Sequence, residues 1–197
     1  MSTLIYYAHV VTFVVLLAAS FYTDITKRKI YNNVTITSIA IAYILGILIS
    51  INTGEYGSIF DRQLSFMAVI AGGGVAFLIF IIPYLAKALG GGDVKLAVAI
   101  GSLTGLQFMV WTIFHTVVIG AAMAIGMLMW KGNLLEGVKR AVLSFGRFRS
   151  KENSLDSDQT IPYGIALVLG TLWTLYSFIR HSETLPFLKI VRYIDFF

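Results

Sequence analysis

Long uncharged runs of apolar residues constrain the fold of this chain more than any other feature of its sequence. A transmembrane helix needs about 20 mostly apolar residues, and four runs reach that length: Leu4–Tyr22, Val34–Ile51, Leu64–Leu85 and Ile161–Ile179. Only 13% of the residues are charged, whereas soluble domains carry about 25%. A surface in contact with water needs those charges, but a surface in contact with lipid does not. The sequence therefore predicts an all-α, polytopic membrane protein.

The uncharged run Leu96–Trp130 is too long for one straight transmembrane helix. At about 1.5 Å per residue it would extend roughly 52 Å, against a hydrocarbon core of about 30 Å. The weakest point for a helix is Thr104-Gly105, and a break there divides the run into a short helix and a full one. Together with the other runs, this predicts six transmembrane helices, the fourth of them short, in a single membrane-embedded domain covering residues 1–197.

The distribution of basic residues predicts the orientation of these helices. Eleven of the 15 Lys and Arg residues lie on one side of the predicted helices, and the positive-inside rule assigns that side to the cytoplasm. They are Lys27, Arg28, Lys29, Lys87, Lys95, Lys131, Lys139, Arg140, Arg147, Arg149 and Lys151. The N-terminus and the loop Asn52–Arg62 then lie outside. Because orientation in a lipid bilayer accounts for the net charge of +5, that charge does not indicate a nucleic-acid partner.

The large cytoplasmic loop, residues 131–159, has apolar residues at helical spacing opposite Lys139 and Arg140. These apolar residues are Leu134, Leu135, Val138, Ala141, Val142 and Phe145. The pattern predicts an amphipathic helix in the cytoplasmic interface, held there by apolar burial and by anionic lipid. A solvated linker with a chance apolar stripe is the alternative interpretation.

Two of the 10 carboxylate side chains, those of Asp24 and Asp93, are placed differently from the rest. Asp24 directly follows the first predicted helix and Asp93 directly precedes the fourth, so both lie at the cytoplasmic edge of the membrane. An ionisable residue at that depth is costly unless it is used or paired. The helix dipoles favour an ionised Asp93 and a protonated Asp24. A carboxylate pair in these two states can activate water, with Asp93 as the base and Asp24 as the acid.

Structural roles would also explain both carboxylates: Asp93 as the N-cap of the fourth helix, or Asp24 in an ion pair with Lys27 or Arg28.

Other kinds of catalytic or binding site have less support in the sequence. The chain has no Cys, which excludes disulfides and thiol catalysis, and no cluster of His and carboxylates predicts a metal or cofactor site. His115 stands alone in an apolar helix and is predicted to be packed rather than a ligand. The glycines 72–74 predict close helix packing.

Three segments resemble the motifs of the type IV prepilin peptidases. The segment Ala88–Leu96 resembles their Gly-x-Gly-Asp-x-Lys motif, because it reads Ala-Leu-Gly-Gly-Gly-Asp-Val-Lys-Leu. Tyr22–Asn32 resembles their first motif, in which an Asp precedes a basic stretch and an Ile-Pro-Asn. Thr160–Gly164 resembles the Pro-Tyr-Gly that opens their last helix. The three segments occur in the family's order and spacing over nearly the whole chain.

This resemblance implies an aspartic endopeptidase that cuts the basic leader from prepilin-like substrates. The expected location is the cytoplasmic face of the bacterial inner membrane. The resemblance implies that Asp24 and Asp93 are the catalytic aspartates. The lack of Cys and of a metal-ligand cluster predicts that no metal or other cofactor takes part. The supporting residues that it implies are Gly90, Gly92, Lys95, Pro162 and Gly164.

The chain departs from the family pattern in two respects. Ile30-Tyr31-Asn32 stands where the family has Ile-Pro-Asn, and the missing Pro predicts a looser turn into the second helix. Longer members also carry an N-terminal cytoplasmic region, often with paired cysteines, that is linked to N-methylation of the mature pilin. This chain resembles the short, peptidase-only form found with Flp-type (tight adherence) pili, so N-methylation is not expected.

Three alternatives remain at this stage. A presenilin-like protease that cuts helices within the bilayer should have its aspartates deeper in hydrophobic helices. An ion-coupled transporter should have carboxylates near the bilayer midplane on broken helices. A non-catalytic pilus assembly factor would keep the motifs without the activity. The basic residues directly after Asp24 place it near the surface and favour leader cleavage over the first two alternatives.

Overall fold

The protein is described by a computed structural model that covers residues 2–27, 30–53, 66–86, 89–130 and 163–181. These residues form α1 (Ser2–Lys27), α2 (Asn32–Thr53), α3 (Phe66–Leu85), α4 (Gly91–Trp130) and α5 (Tyr163–His181). No strand occurs in these ranges, so the predicted all-α class is confirmed. The predicted interfacial helix in residues 131–159, and Pro162, lie outside the described residues.

Four of the described helices are long and apolar enough to cross a membrane. The stretches that meet this condition are Tyr7–Lys27, Phe66–Leu85, Gly91–Met127 and Tyr163–Arg180, and Asn32–Leu48 is a shorter apolar helix. Their outward faces carry many exposed large apolar side chains, as lipid contact requires. The chain is therefore an all-α membrane protein.

The long helix α4 is broken at Gly105, where the sequence predicted a break. Gly105 has φ of 79° and ψ of 176°, a backbone conformation that interrupts an α-helix. Glycine has no Cβ and adopts a positive φ without steric cost, whereas other residues do so rarely. The break divides α4 into an N-terminal half, residues 91–104, and a C-terminal half, residues 106–130.

The N-terminal half of α4 is the centre of the core. Side chains along it are fully or almost fully buried, among them Leu96, Ala97, Ile100 and Leu103. α4 packs against each of the four other described helices, most extensively against α3 and next against α5. The element that carries Asp93 is therefore enclosed by the rest of the described bundle.

Glycines allow α3 and α4 to approach until their backbones touch. A Cβ on Gly72 would collide with the carbonyl oxygen of Gly101, and a Cβ on Gly101 would collide with that of Gly72. Gly73 similarly faces the Ser102 hydroxyl, whereas Gly74 has nothing within 4 Å. The predicted close packing is thus confirmed for two of the three glycines, as expected for small residues at membrane helix interfaces.

Two helix boundaries differ from those that the sequence predicted. α1 continues to Lys27, so Asp24 lies inside its last turn and does not follow the helix. α4 begins at Gly91, so Asp93 lies inside its first turn and does not precede the helix. Hydropathy underestimated both helices because the polar residues at their ends keep helical backbone geometry outside the apolar run.

Candidate active site

Asp24 is a buried carboxylate at the C-terminal end of α1. Its side chain is 5% exposed. The backbone N–H of Ile165, in the first turn of α5, donates a hydrogen bond of 2.8 Å to Asp24 Oδ2. The first N–H groups of a helix have no partner within the helix and carry partial positive charge. The N-terminus of α5 therefore stabilises the carboxylate of a different helix.

Gly164 permits this contact. A Cβ at position 164 would lie 2.5 Å from Asp24 Oδ2 and 2.9 Å from its Cγ. These distances are shorter than van der Waals contact, so any other residue would push the carboxylate away from α5. The structure thus brings Gly164 directly against Asp24, although the two are far apart in the sequence.

Asp93 lies at the N-terminus of its own helix, three residues after Gly90. The N–H of Gly90 donates a hydrogen bond of 3.2 Å to Asp93 Oδ2, while the N–H groups of Asp93 and Val94 donate to the Gly90 carbonyl at 3.1 and 3.5 Å. The bond from the Gly90 N–H to the Asp93 carboxylate is one half of a capping box, with Gly90 at the N-cap; glycine has no side chain to make the other half. The interpretation of Asp93 as the N-cap is therefore wrong, although its carboxylate does contribute to the cap.

The structure brings Asp24 and Asp93 together. Burial is the largest influence on the Asp93 carboxylate, and the charge of Asp24 adds a smaller repulsion, so ionisation of both carboxylates at once is disfavoured. Each of them accepts a hydrogen bond from a backbone N–H at a helix N-terminus. The α1 dipole alone predicted a protonated Asp24, but the N-terminus of α5 opposes that effect.

Ile30 connects the three motifs and was missed as a site residue. It lies between α1 and α2 with its side chain 8% exposed. A Cβ on Gly92 would lie 3.1 Å from Ile30 Cβ, and a Cβ on Gly164 would lie 3.0 Å from Ile30 Cδ1. Ile30 therefore fills the space between the N-termini of α4 and α5, beside both aspartates. The sequence signal was its place in the Ile30-Tyr31-Asn32 segment.

Lys95 contacts the start of α2. Its Nζ donates a hydrogen bond of 2.9 Å to Asn32 Oδ1, which ties the first turns of α4 and α2 together. Tyr31, which replaces the family's Pro, accepts at its carbonyl from the N–H groups of Val34 and Thr35 at 3.2 and 3.4 Å. Lys27 Nζ donates to the Tyr31 hydroxyl at 2.9 Å, across the turn. A Pro carbonyl could accept the same two backbone bonds, but only the Tyr31 hydroxyl can accept from Lys27.

Two tyrosines, Tyr163 and Tyr84, border the site. The charge of Asp93 acts electrostatically on Tyr163, whose ring meets the Phe80 ring edge-on with 6.0 Å between centroids. The Tyr84 ring lies over Gly91, where a Cβ would come within 3.4 Å of it. Aromatic side chains therefore form a wall beside the carboxylate pair.

His115 and His9 lie apart from the carboxylate pair. His115 packs among aromatic rings and hydrogen-bonds Thr174 Oγ1 at 2.9 Å, which agrees with the prediction of a packed histidine. His9 is buried in α1 and hydrogen-bonds the carbonyl of Leu103. Within the described parts of the chain, no group of three or more His, Cys, Asp or Glu residues is arranged to hold a metal ion.

Comparison with known proteins identifies a family for this chain. The family model described as the type IV leader peptidase family matches residues 11–125, which is more than half of the 197 residues. The matched range contains both Asp24 and Asp93 and ends before Gly164. No curated protein and no solved structure matches the chain.

Proposed function

The chain belongs to the type IV leader peptidase family, and from that premise we propose that it is an aspartic endopeptidase that removes the basic leader from Flp-like prepilins. The observation that carries the proposal is the carboxylate pair of Asp24 and Asp93. Three helix ends converge on this pair, and two of them supply backbone N–H donors to it. Such preorganised donors stabilise negative charge on each carboxylate and fix its orientation.

In the proposed reaction one carboxylate is ionised and the other protonated. The ionised carboxylate takes a proton from water, and the water oxygen forms a bond to the scissile carbonyl carbon. The protonated carboxylate hydrogen-bonds the carbonyl oxygen, and a proton passes to the leaving nitrogen as the C–N bond breaks. Asp93 is the more exposed of the two and fits the role of base, whereas the more buried Asp24 fits the role of acid.

A prepilin-like substrate has the chemistry that this site would accept. It presents a basic leader, a small residue at the cut and an apolar helix. The apolar helix matches the lipid-facing surface of the bundle, and the exposed Gly90 leaves the backbone beside Asp93 open to a substrate. The carboxylates and the anionic membrane surface attract a basic leader.

We further propose that the protein crosses the bacterial inner membrane six times, with the two halves of α4 counted separately. The N-terminus then lies outside and the carboxylate pair faces the cytoplasm. Lys27 lies one turn beyond Asp24. Because lysine side chains extend to the membrane interface rather than into the hydrocarbon, Lys27 supports a position of the carboxylate pair near the membrane surface. The same feature argues against presenilin-like cleavage within the bilayer and against transport through carboxylates at the midplane.

The test of the proposed function is cleavage of a candidate prepilin by the purified protein, read by the mass of the products. Asp24→Asn and Asp93→Asn should each reduce turnover by at least roughly 100-fold, because an amide can neither accept the proton of water nor donate a carboxylic acid proton. The double variant should be no worse than either single variant, since the pair acts as a unit.

The control is Glu55→Gln, which removes a carboxylate far from the motifs in sequence, in the predicted outer loop Asn52–Arg62, and should leave turnover unchanged. All variants should insert into membranes like the natural protein. Near-normal turnover in either aspartate variant would contradict the aspartic mechanism. If the natural protein binds prepilin but does not cleave it, that result would instead favour a role as a non-catalytic assembly factor.

A further inference from the structure

The two helices that carry the aspartates have little direct contact. α1 packs mainly on α2 and α5, and it comes close to α4 at few points. Asp24 is on α1 and Asp93 is on α4, so the distance between their carboxylates depends on how α1 is held against α4. A direct bond between these two helices would therefore influence the geometry of the site from a distance.

Such a bond exists at the break in α4. His9 Nε2 hydrogen-bonds the backbone carbonyl of Leu103. In an uninterrupted helix this carbonyl would accept the N–H of Gln107, but Gly105 lies between them with φ of 79° and ψ of 176°. The break thus exposes a backbone acceptor in the middle of the bundle, where a carbonyl without a partner is costly.

The surroundings of His9 support a specific role for this bond. The side chain is 3% exposed, on an otherwise apolar stretch of α1. Its other ring nitrogen, Nδ1, has no hydrogen-bond partner among the described residues, so a neutral ring must carry its single proton on Nε2 to donate to Leu103. One turn further along α1, Phe13 meets Phe108 edge-on with 6.4 Å between centroids. The contact therefore joins α1 to both sides of the break.

We propose that His9 is a positioning residue for the carboxylate pair. By bonding the Leu103 carbonyl it holds α1 against the break in α4, and it thereby sets the separation of Asp24 and Asp93. His9 lies about 22 Å along α1 from Asp24, at about 1.5 Å per residue, so it does not touch the substrate. This inference rests on the proposed function for its catalytic consequence, but its structural part stands on the bond itself.

The first test compares substitutions that differ in reach. The side-chain amide of Gln places its N–H donor near the position of imidazole Nε2, whereas the shorter amide of Asn places it near Nδ1 and cannot reach Leu103. His9→Gln should keep natural turnover. His9→Asn and His9→Leu should lower kcat by roughly 10- to 100-fold with KM nearly unchanged, because a displacement of about 1 Å costs up to that factor in the chemical step.

The pH profile separates positioning from general damage. Two interacting carboxylates titrate in two steps, and the enzyme is active between them. If the two carboxylates move apart, their interaction weakens and the two apparent pKa values of the pair come closer together. The bell-shaped plot of activity against pH should therefore be narrower for His9→Asn. Loss of folded protein would lower the height of the profile without changing its width. Tyr163, the other titratable group on which the charge of Asp93 acts, is present in every variant.

The second test does not depend on activity. Because the chain has no natural Cys, Asp24→Cys and Asp93→Cys can be combined and joined by a short thiol cross-linker. The rate of cross-linking should be equal in the natural and His9→Gln backgrounds and lower in the His9→Asn background. His115→Asn is the matched control, because its bond to Thr174 joins α4 to α5 and does not involve α1.

These outcomes distinguish the two proposals. If the natural protein fails to cleave prepilin, the proposed function falls, while cross-linking still tests the placement of α1. If His9→Asn cleaves and cross-links like the natural protein, the positioning role is wrong. It is also wrong if His9→Asn and His9→Leu fail to insert while His9→Gln inserts, because the bond is then needed for folding rather than for spacing.

Discussion

At the scale of single residues, the contact between Gly164 and Asp24 is the most demanding feature of the site. A methyl group at position 164 would lie 2.5 Å from the Asp24 carboxylate oxygen, so Gly164→Ala should displace the carboxylate from the Ile165 N–H. We expect kcat to fall by roughly 100-fold, the effect of a displacement of about 1 Å at reacting groups. Prepilin cleavage by the purified variant measures this.

Gly126→Ala is the matched control for this prediction. It makes the same chemical change in a transmembrane helix, but a Cβ at position 126 meets nothing within 4 Å. Its turnover should equal that of the natural protein. If the turnover of Gly164→Ala also equals that of the natural protein, the close approach of α5 to Asp24 is not needed for the reaction.

At the scale of elements, the backbone contact between α3 and α4 holds the N-terminal half of α4 in place. Gly72→Ala puts a methyl group against the Gly101 carbonyl, and overpacking of this kind costs about 1–3 kcal/mol. Gly74→Ala, two residues away with nothing within 4 Å, should not destabilise the protein and should gain about 0.5–1 kcal/mol from the higher helix propensity of Ala. Thermal unfolding in one detergent compares the two, and a similar melting temperature for both would contradict the contact.

At the scale of the whole molecule, the orientation in the membrane can be tested with cysteines placed in this cysteine-free chain. Thr26 and Ala86 are exposed and lie near the ends of α1 and α3. Thr26→Cys and Ala86→Cys should react with a membrane-impermeant thiol reagent in inside-out vesicles and not in right-side-out vesicles. Asn52→Cys, in the last turn of α2, should show the opposite pattern. Val94, next to Asp93, is unsuitable as a probe position because it is buried.

Labelling of Thr26→Cys and Ala86→Cys from opposite sides of the membrane would contradict both the topology and a cytoplasmic carboxylate pair. A pattern that is reversed for all three positions would keep the pair intact but place it outside. It would then exclude leader cleavage at the cytoplasmic face. The experiment therefore tests the location of the site independently of its chemistry.

Local sequence patterns were sufficient for the all-α class and the break at Gly105, and they singled out Asp24 and Asp93, whose catalytic role stays a prediction. Hydropathy reports the free energy of placing a segment in lipid, which depends on about 20 neighbouring residues and little on the rest of the chain. A glycine in an apolar run too long for one crossing predicted the break, because the bilayer limits the length of a straight helix. The predicted positions of the C-terminal end of α1 and the N-terminal end of α4 were less accurate, because helical geometry continues into polar residues that hydropathy does not count as part of the helix.

The contacts that shape the site were decided by the tertiary structure. Asp24 accepts its hydrogen bond from Ile165, Ile30 packs against Gly92 and Gly164, and His9 bonds the carbonyl of Leu103. Each joins residues from separate parts of the chain, so no periodicity or spacing encodes it. The dipole prediction for Asp24 was incomplete for the same reason: the field at a side chain is the sum over all neighbouring helix ends, and only the folded bundle determines which ends are near.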